Sequence, residues 1–571
     1  MLTKTKIITA ALVTTGIGFF SVATAQEAAS AQRTRPNIVL ILADDLGFTD
    51  ISPFGSEIDT PNIAELAATG VSFTNYHTAG SCAPARAMLL TGVDSHRNGV
   101  PNIPEALPPE QLAHDNYQGV LNDKVVTLST ILQDAGYHTY MTGKWHLGHT
   151  PELLPSSRGF DRTIAMADTG ADNWDQRPYL PIYEQANWYA DGERHTLPDD
   201  FYSSKYFIDK TIEFIAENEA DNEPFFAYVP FQAVHMPVQA PREFSDKYAG
   251  VYDEGWEVMR EKRRLAAEAA GVVPRNTETI VTPGTLEWDS LTGEQKIHHA
   301  RRMEVYAGMV DAMDMHIGRL MTYLKEIGEY ENTLFIFTSD NGAEGSNLIG
   351  VNGRSAPGIG SWFDRVGYNS DLETLGEPNS FNAIGPNNAT IAASPLAYYK
   401  FYASEGGLRV PLVMSGPGIS KQNEKTDEFT FVTDLTPTIL SLAGIDKHEG
   451  SWKGDAIEEI IGVDFSEFLS GTESAIHSES EAIGYELGGN RALFKGDYKL
   501  VFNRSAVNDQ NWHLFNIKTD PGEAHDLASE EPERYAEMLD DYEKYESSNN
   551  VQPMPEGYIQ RRTIFRDVRF N

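Results

Sequence analysis

Cysteine is almost absent from this chain: Cys82 is the only one in 571 residues. A single thiol excludes an intramolecular disulfide, so the fold must be held by its core. Basic residues are also scarce, 45 Lys and Arg against 83 Asp and Glu, giving a formal charge of −38. That balance excludes nucleic acid as a partner, because such binding rests on Lys and Arg neutralising phosphates. Beyond the N-terminal leader, no apolar run is long enough to span a bilayer. Three catalytic signatures are missing as well: a G-x-S-x-G elbow, a G-x-x-x-x-G-K-[ST] phosphate loop and an H-E-x-x-H zinc pair.

What is present begins with an export signal. Lys4 and Lys6 precede the mostly apolar stretch Ile7 to Phe20, and Ala23-Thr24-Ala25 offers a small-x-small cleavage site. Thr14, Thr15, Gly16 and Gly18 interrupt the apolar stretch, which argues for a cleaved leader over residues 1–25 rather than a retained helix. The expectation is a chain that starts near Gln26, works in the periplasm or outside the cell, and keeps no membrane attachment. With 41% hydrophobic residues the chain can bury a large core. Its length predicts one large domain over residues 26–475 and a smaller one over 476–571.

Four apolar runs read as buried strands, and each runs into polar residues. They are Ile38 to Ala43 before Asp44-Asp45, Leu334 to Phe337 before Asp340-Asn341, Phe225 to Val229 before His235, and a run around His138 to Met141 before Lys144 and His146. Between them, Val126, Leu128, Ile131 and Leu132 form one helical stripe, and Val305 to Leu324 a longer one. The alternation predicts an α/β fold, a large and mostly parallel sheet sandwiched by helices. From about Ile476 the pattern changes to short antiparallel strands and an acidic helix from about Pro532 to Glu546, a smaller α+β unit. A Gly-, Asn-, Ser- and Pro-rich excursion from Ser346 to Ser394 carries Trp362, Phe363, Tyr368 and Phe381. It reads equally as a binding loop or as a solvated insertion.

In open α/β sheets ligands bind outside the carboxyl ends of the strands, so the four clusters meet at one rim. Two unit charges about 4 Å apart repel by roughly 4 kcal/mol at an effective dielectric near 20. Three carboxylates on one rim therefore call for a cation, and oxygen donors point to Ca²⁺ or Mg²⁺ rather than zinc. A divalent cation with Lys144, His146, His235 and Lys400 around it suits an ester of a compact, highly charged oxyanion. Cys82 is then the remaining candidate nucleophile, although by count alone a lone cysteine is a small buried hydrophobe.

Cys82-Ala83-Pro84-Ala85-Arg86 and the following Leu90-Thr91-Gly92 resemble the C-x-P-x-R and L-T-G signature of type I sulfatases. These are the formylglycine-dependent members of the alkaline-phosphatase-like superfamily. The blocks "PNIVLILADDLGFTD", "GKWHLG", "FTSDNGAEG", "SEGGLRVP" and "LFNIKTDPGEAHDL" are similar to the family's other blocks and keep their order, most like those of bacterial arylsulfatases. The resemblance implies that a maturation enzyme reads C-x-P-x-R on the unfolded chain and oxidises Cys82 to formylglycine. The hydrated aldehyde, a gem-diol, would attack sulfur, form a covalent sulfate ester and expel sulfate on losing its second proton. By the same resemblance Asp44, Asp45, Asp340, Asn341 and the modified Cys82 ligate the cation, with Ca²⁺ preferred over Mg²⁺. Arg86 steadies the diol, Lys144 and Lys400 contact sulfate oxygens, His146 acts as base, and His235 stands beside the sulfate and its leaving group. Ala85 departs from the Ser or Thr often found there, which bears on maturation more than on catalysis.

The function expected from this resemblance is hydrolysis of aryl sulfate esters. Two alternatives use the same site: a sulfated polysaccharide as substrate, or a phosphodiester or phosphonate. A third, in which Cys82 is never converted, leaves a non-catalytic metal- or sulfate-binding protein. The expected partners are a small-molecule or glycan sulfate ester and the formylglycine-generating enzyme.

Overall fold

The computed structural model describes residues 35–350, 355, 357–504 and 508–568. The export signal expected over residues 1–25 lies outside the described residues. No helix among the described residues is long and apolar enough to cross a membrane.

The main sheet has ten strands. In chain order they are β1 (Asn37–Ala43), β2 (Val71–Phe73), β3 (His138–Lys144), β4 (Arg162–Met166), β5 (Trp188–Ala190), β6 (Glu193–Arg194), β7 (Phe225–Pro230), β8 (Thr333–Ser339), β9 (Leu412–Ser415) and β10 (Glu424–Thr426). Across the sheet the order is β10-β2-β9-β8-β1-β7-β3-β4-β5-β6. The central strands β8, β1, β7, β3 and β4 all run parallel. The mixed, mostly parallel sheet expected from the sequence is thus present, with the antiparallel pairs confined to its flanks.

β1 shows why its sequence is apolar throughout. All seven of its residues are buried. Val39, Ile41 and Ala43 join one core with the helices Pro61–Thr69, Ser203–Asn218 and Gly293–Glu326. Ile38, Leu40 and Leu42 join a second core with Cys82–Thr91, Leu128–Asp134 and Leu435–Leu442. Helices cover both faces, so strand alternation has no solvent side to record. The stripe Val305 to Leu324 falls inside the 34-residue helix Gly293–Glu326, which Thr292 and Gln295 start with a capping box.

A four-stranded antiparallel sheet, β11 (Ala482–Leu487), β12 (Asn490–Lys495), β13 (Tyr498–Phe502) and β14 (Trp512–Asn516), forms the smaller C-terminal part. Leu493, Leu500 and Leu514 pack on the helix Pro532–Ser548, while Ala492, Phe494 and Val501 join the second main core. Polar contacts reinforce this seam. His96 is buried with Nδ1 3.1 Å from Asp94 and Nε2 2.8 Å from Glu486. Burial opposes charge on the ring, but Asp94 and Glu486 outweigh it and push His96 up to about 9. Because the folded pKa exceeds the unfolded one, the stabilisation is complete below about pH 6.5 and is lost as pH rises through about 9. Thermal scans between pH 7 and pH 9.5 should therefore show a falling Tm, and His96→Asn should flatten that fall. An unchanged slope in the variant would place the alkaline loss elsewhere.

The excursion Ser346 to Ser394 is not a solvated insertion. Trp362, Phe363, Tyr368 and Phe381 are buried together with Tyr179, Leu180 and Met236, which edge the site described next. Residues 351–354 and 356 of this stretch lie outside the described residues.

Candidate active site

The four strand-end clusters converge at the carboxyl edge of β8, β1, β7 and β3. The turn after β1 puts Asp45 at φ 65°, a left-handed conformation that Asp tolerates better than most residues. The turn after β8 packs Gly342 so closely that a Cβ there would lie 1.9 Å from the Gly406 carbonyl oxygen. Gly342 N–H donates to the Gly407 carbonyl at 3.1 Å, and Lys400 N–H to that of Ala343 at 3.0 Å. These contacts deliver Lys400 to the rim from far along the chain.

Lys144 is the last residue of β3, whereas His146 lies beyond the strand with φ 56°, past the buried Trp145, so strand alternation does not set the direction of its side chain.

Cys82 opens the helix Cys82–Thr91, all ten residues of which are buried. Ser81 before it is extended, and Pro84 falls in the first turn, where its missing N–H costs no intrahelical bond. Arg86 lies one turn further along. Its Nε and Nη2 donate to one oxygen of Asp340 at 2.9 and 2.8 Å, and its Nη1 to the Lys144 carbonyl at 2.8 Å. The Cys82 Sγ is 3.3 Å from Lys400 Nζ and 3.9 Å from Asp45 Oδ1. Lys144 Nζ contacts Asp44 at 2.7 Å, and Lys400 Nζ contacts Asp45 at 2.6 Å and Glu344 at 2.9 Å. His235 Nε2 stands 3.7 Å from Asp45 Oδ2. Asn341 donates from Nδ2 to Asp45 at 2.7 Å.

Burial governs the protonation of these groups. It raises Asp44 to about 8 and Asp45 to about 6, although Lys144 and Lys400 pull them down. Asp340 also feels burial, but Arg86, Lys144 and Lys400 hold it below the ordinary carboxylate range. Burial likewise pushes the Cys82 thiol well up and His235 well down, the latter helped by Lys144 and Lys400. His146 falls to about 4 for the same first reason, despite Glu105. Burial thus favours the neutral form of both histidines.

The donor set fits a hard divalent cation. Asp44 Oδ1, Asp45 Oδ2 and Asn341 Oδ1 are buried with no hydrogen-bond partner. Asp44, Asp45, Cys82 and Asp340 each offer an atom, and these atoms lie within 4.8 Å of one another. A second grouping, Asp45, His235 and Glu344, already holds the Lys400 ammonium between its two carboxylates.

Two residues of the site were not singled out from the sequence. Glu344 is the second-last residue of the quoted "FTSDNGAEG" block, three residues past Asn341, so its position was available. Glu105, which accepts from His146 Nε2 at 3.3 Å and from the Tyr183 hydroxyl, carries no local sequence signal.

Buried acidic groups that could hold a cation, with lysines and histidines beside them at the rim of a mostly parallel sheet, suit hydrolysis of a compact oxyanion ester. The sulfatase family model matches residues 36–445, and that of the N-sulphoglucosamine sulphohydrolase C-terminal region matches residues 397–547. The chain belongs to the sulfatase family and is a sulfatase. An uncharacterized sulfatase of Schizosaccharomyces pombe is 39% identical, the alignment covering 95% of this chain and 99% of that one. An arylsulfatase of Klebsiella aerogenes is 36% identical over 76% of this chain and 92% of its own. Among solved structures, Ps i-CgsB in complex with k-i-k-neocarrahexaose is similar in fold at a TM-score of 0.64 and 24% identity, covering 93% of this chain and 97% of that one.

Proposed function

We propose that this sulfatase hydrolyses small sulfate esters with an aromatic or similarly apolar leaving group, using formylglycine at position 82 and Ca²⁺. The supporting observation is the cavity over Cys82, about 300 Å³ in volume. Ile103, Tyr179, Leu180, Met236, Leu348 and Phe401 line it, and Glu105 and Glu344 face into it. An apolar wall favours an aryl group.

Asp44, Asp45, Asp340 and Asn341 would hold the cation. Their enclosed set of protein oxygens suits Ca²⁺ better than Mg²⁺, which keeps several of its waters. Hydrated formylglycine would supply one hydroxyl to displace the alcohol or phenol from sulfur and a second whose deprotonation would break the C–O bond to sulfate, without water attacking sulfur. The chain's own side chains do the rest. Lys144 and Lys400 present ammonium groups to sulfate oxygens, so negative charge gathering there meets fixed positive charge in a dry site. Arg86 clamps Asp340 and the Lys144 carbonyl, which keeps the helix bearing residue 82 in register with the cage. Glu105 is an acceptor, so the bond from His146 Nε2 leaves Nδ1, which has no hydrogen-bond partner, to take a proton. His235 stands beside Asp45, close to the sulfate and its leaving group.

The test compares kcat/KM for nitrophenyl sulfate, a sulfated hexosamine and a nitrophenyl phosphodiester. The aryl sulfate should lead by about tenfold or more, as expected where a hydrophobic pocket selects its ligand. A dominant rate on the sulfated sugar would overturn the aryl reading, and one on the phosphodiester would overturn the sulfate preference as well.

A further inference from the structure

The cavity over Cys82 has a wall that comes from the far end of the chain. Gln560, Arg561, Ile564 and Phe565 line it beside Cys82, Lys400 and Phe401. The short helix Gln560–Ile564 and its C-cap Phe565 provide these residues, after a stretch that leaves the C-terminal helix Pro532–Ser548 and returns across the rim.

This return path is fixed on both sides. Tyr558 donates its hydroxyl to the Ala106 carbonyl at 2.9 Å, and Arg566 Nη1 donates to that of Leu107 at 2.6 Å. Both acceptors adjoin Glu105, the partner of His146. From the C-terminal sheet, Arg504 donates to the carbonyls of Tyr558 and Pro555 at 3.0 and 3.2 Å. Phe565 packs against the apolar cluster that joins Tyr179, Leu180 and Met236 to the aromatic residues of the excursion. Gln560 faces a second space as well, a cavity of about 240 Å³ with Asn490 and Arg504 in its walls. The two cavities also share Glu344, Ser346, Lys400 and Phe401.

The matched family regions end at residue 547, so this wall lies outside what the family profiles describe. Sulfate recognition comes from strand ends inside those regions. The wall of the cavity comes partly from outside them.

We propose that Ile564 and Phe565 are specificity-determining residues that hold the apolar leaving group of the ester, while taking no part in binding the sulfate. The aryl character rests on the preceding functional reading; the contact with the leaving group does not. Apolar contact made equally in the ground and transition states should appear in KM and leave kcat unchanged.

The experiment measures the Ile564→Ala, Phe565→Ala double variant of the full chain on nitrophenyl sulfate, with inorganic sulfate as competitive inhibitor. KM should rise about tenfold, kcat should hold, and the inhibition constant of sulfate should stay at the wild-type value. Phe565→Leu should restore most of the KM, and the thermal unfolding of each variant shows whether the fold is intact. An unchanged KM overturns the proposal, and so does a sulfate inhibition constant that moves in step with KM. If the wild type ignores aryl sulfates and cleaves a sulfated sugar instead, the aryl reading fails. The same KM measurement on that sugar then decides the wall: a rise supports it, and an unchanged value overturns it.

Discussion

Replacing Cys82 with alanine should lower sulfate ester turnover by about 10⁴-fold or more, the scale seen when a covalent nucleophile is removed. The loss should be chemical rather than structural. Cys82 is fully buried, yet its Sγ meets Lys400 and Asp45 rather than hydrophobic neighbours, and alanine fits the first turn of a helix. Far-ultraviolet circular dichroism and Tm should match the wild type. Cys82→Ser sharpens the point, because a serine offers one hydroxyl and cannot release sulfate by losing a second proton. Mass spectrometry of the peptide spanning residue 82 completes the measurement. An aldehyde in place of the thiol is expected, and a thiol throughout in protein from the native host would remove this mechanism. Full activity in the alanine variant would sink the nucleophile assignment outright.

The largest effect on stability is expected at Lys499, on the C-terminal strand β13. Its ammonium is buried and contacts Glu405 at 2.8 Å and Glu523 at 2.9 Å. Glu405 also takes His77 at 3.0 Å and Arg409 at 3.3 Å. Burial by itself would raise the Glu405 carboxyl, but His77, Lys499 and Arg409 together hold it far below its usual range. Lys499→Ala leaves two buried carboxylates short of a partner, which costs about 3–5 kcal/mol when one member of a buried pair is removed. The partly exposed Lys495, paired with Glu537 and Asp541 at the surface, is the control. Its alanine variant should cost about 1 kcal/mol or less. Urea unfolding of both variants would settle the matter, and equal losses would contradict the burial argument. Glu405 opens the short helix Glu405–Leu408, just after Lys400, so the Lys499 variant should also lose activity while still folded.

Much of the site was legible because the chemistry follows the strands. Asp44-Asp45 and Asp340-Asn341 stand where apolar runs stop, and parallel strands put such stops on one edge. Lys400 was legible through its block, not through any strand, and the structure explains why: the Gly342–Gly406 approach carries it in. The local geometry of His146 was not legible, since a positive φ leaves no mark on the order of residue types. Glu105 and the Gln560–Phe565 wall escaped for a different reason. Glu105 acquires its role from contacts with His146 and Tyr183 across loops, the wall from contacts more than 400 residues back, and neither interrupts a periodic pattern. The excursion could be read either way until its four aromatic residues were seen packed together.

The burial of the helix Cys82–Thr91 also sets a clock. Its walls include Leu412 and Leu435, and Arg86 is pinned by Asp340, all supplied far downstream. Residue 82 precedes Asp340 by about 250 residues. At synthesis rates of about 5–20 residues per second, it stays uncovered for tens of seconds as the chain emerges. Any enzyme that must touch this side chain works against that interval. If residue 82 is converted as proposed, a slower ribosome or a delayed strand β8 should raise the share of active molecules without altering a single atom of the finished site.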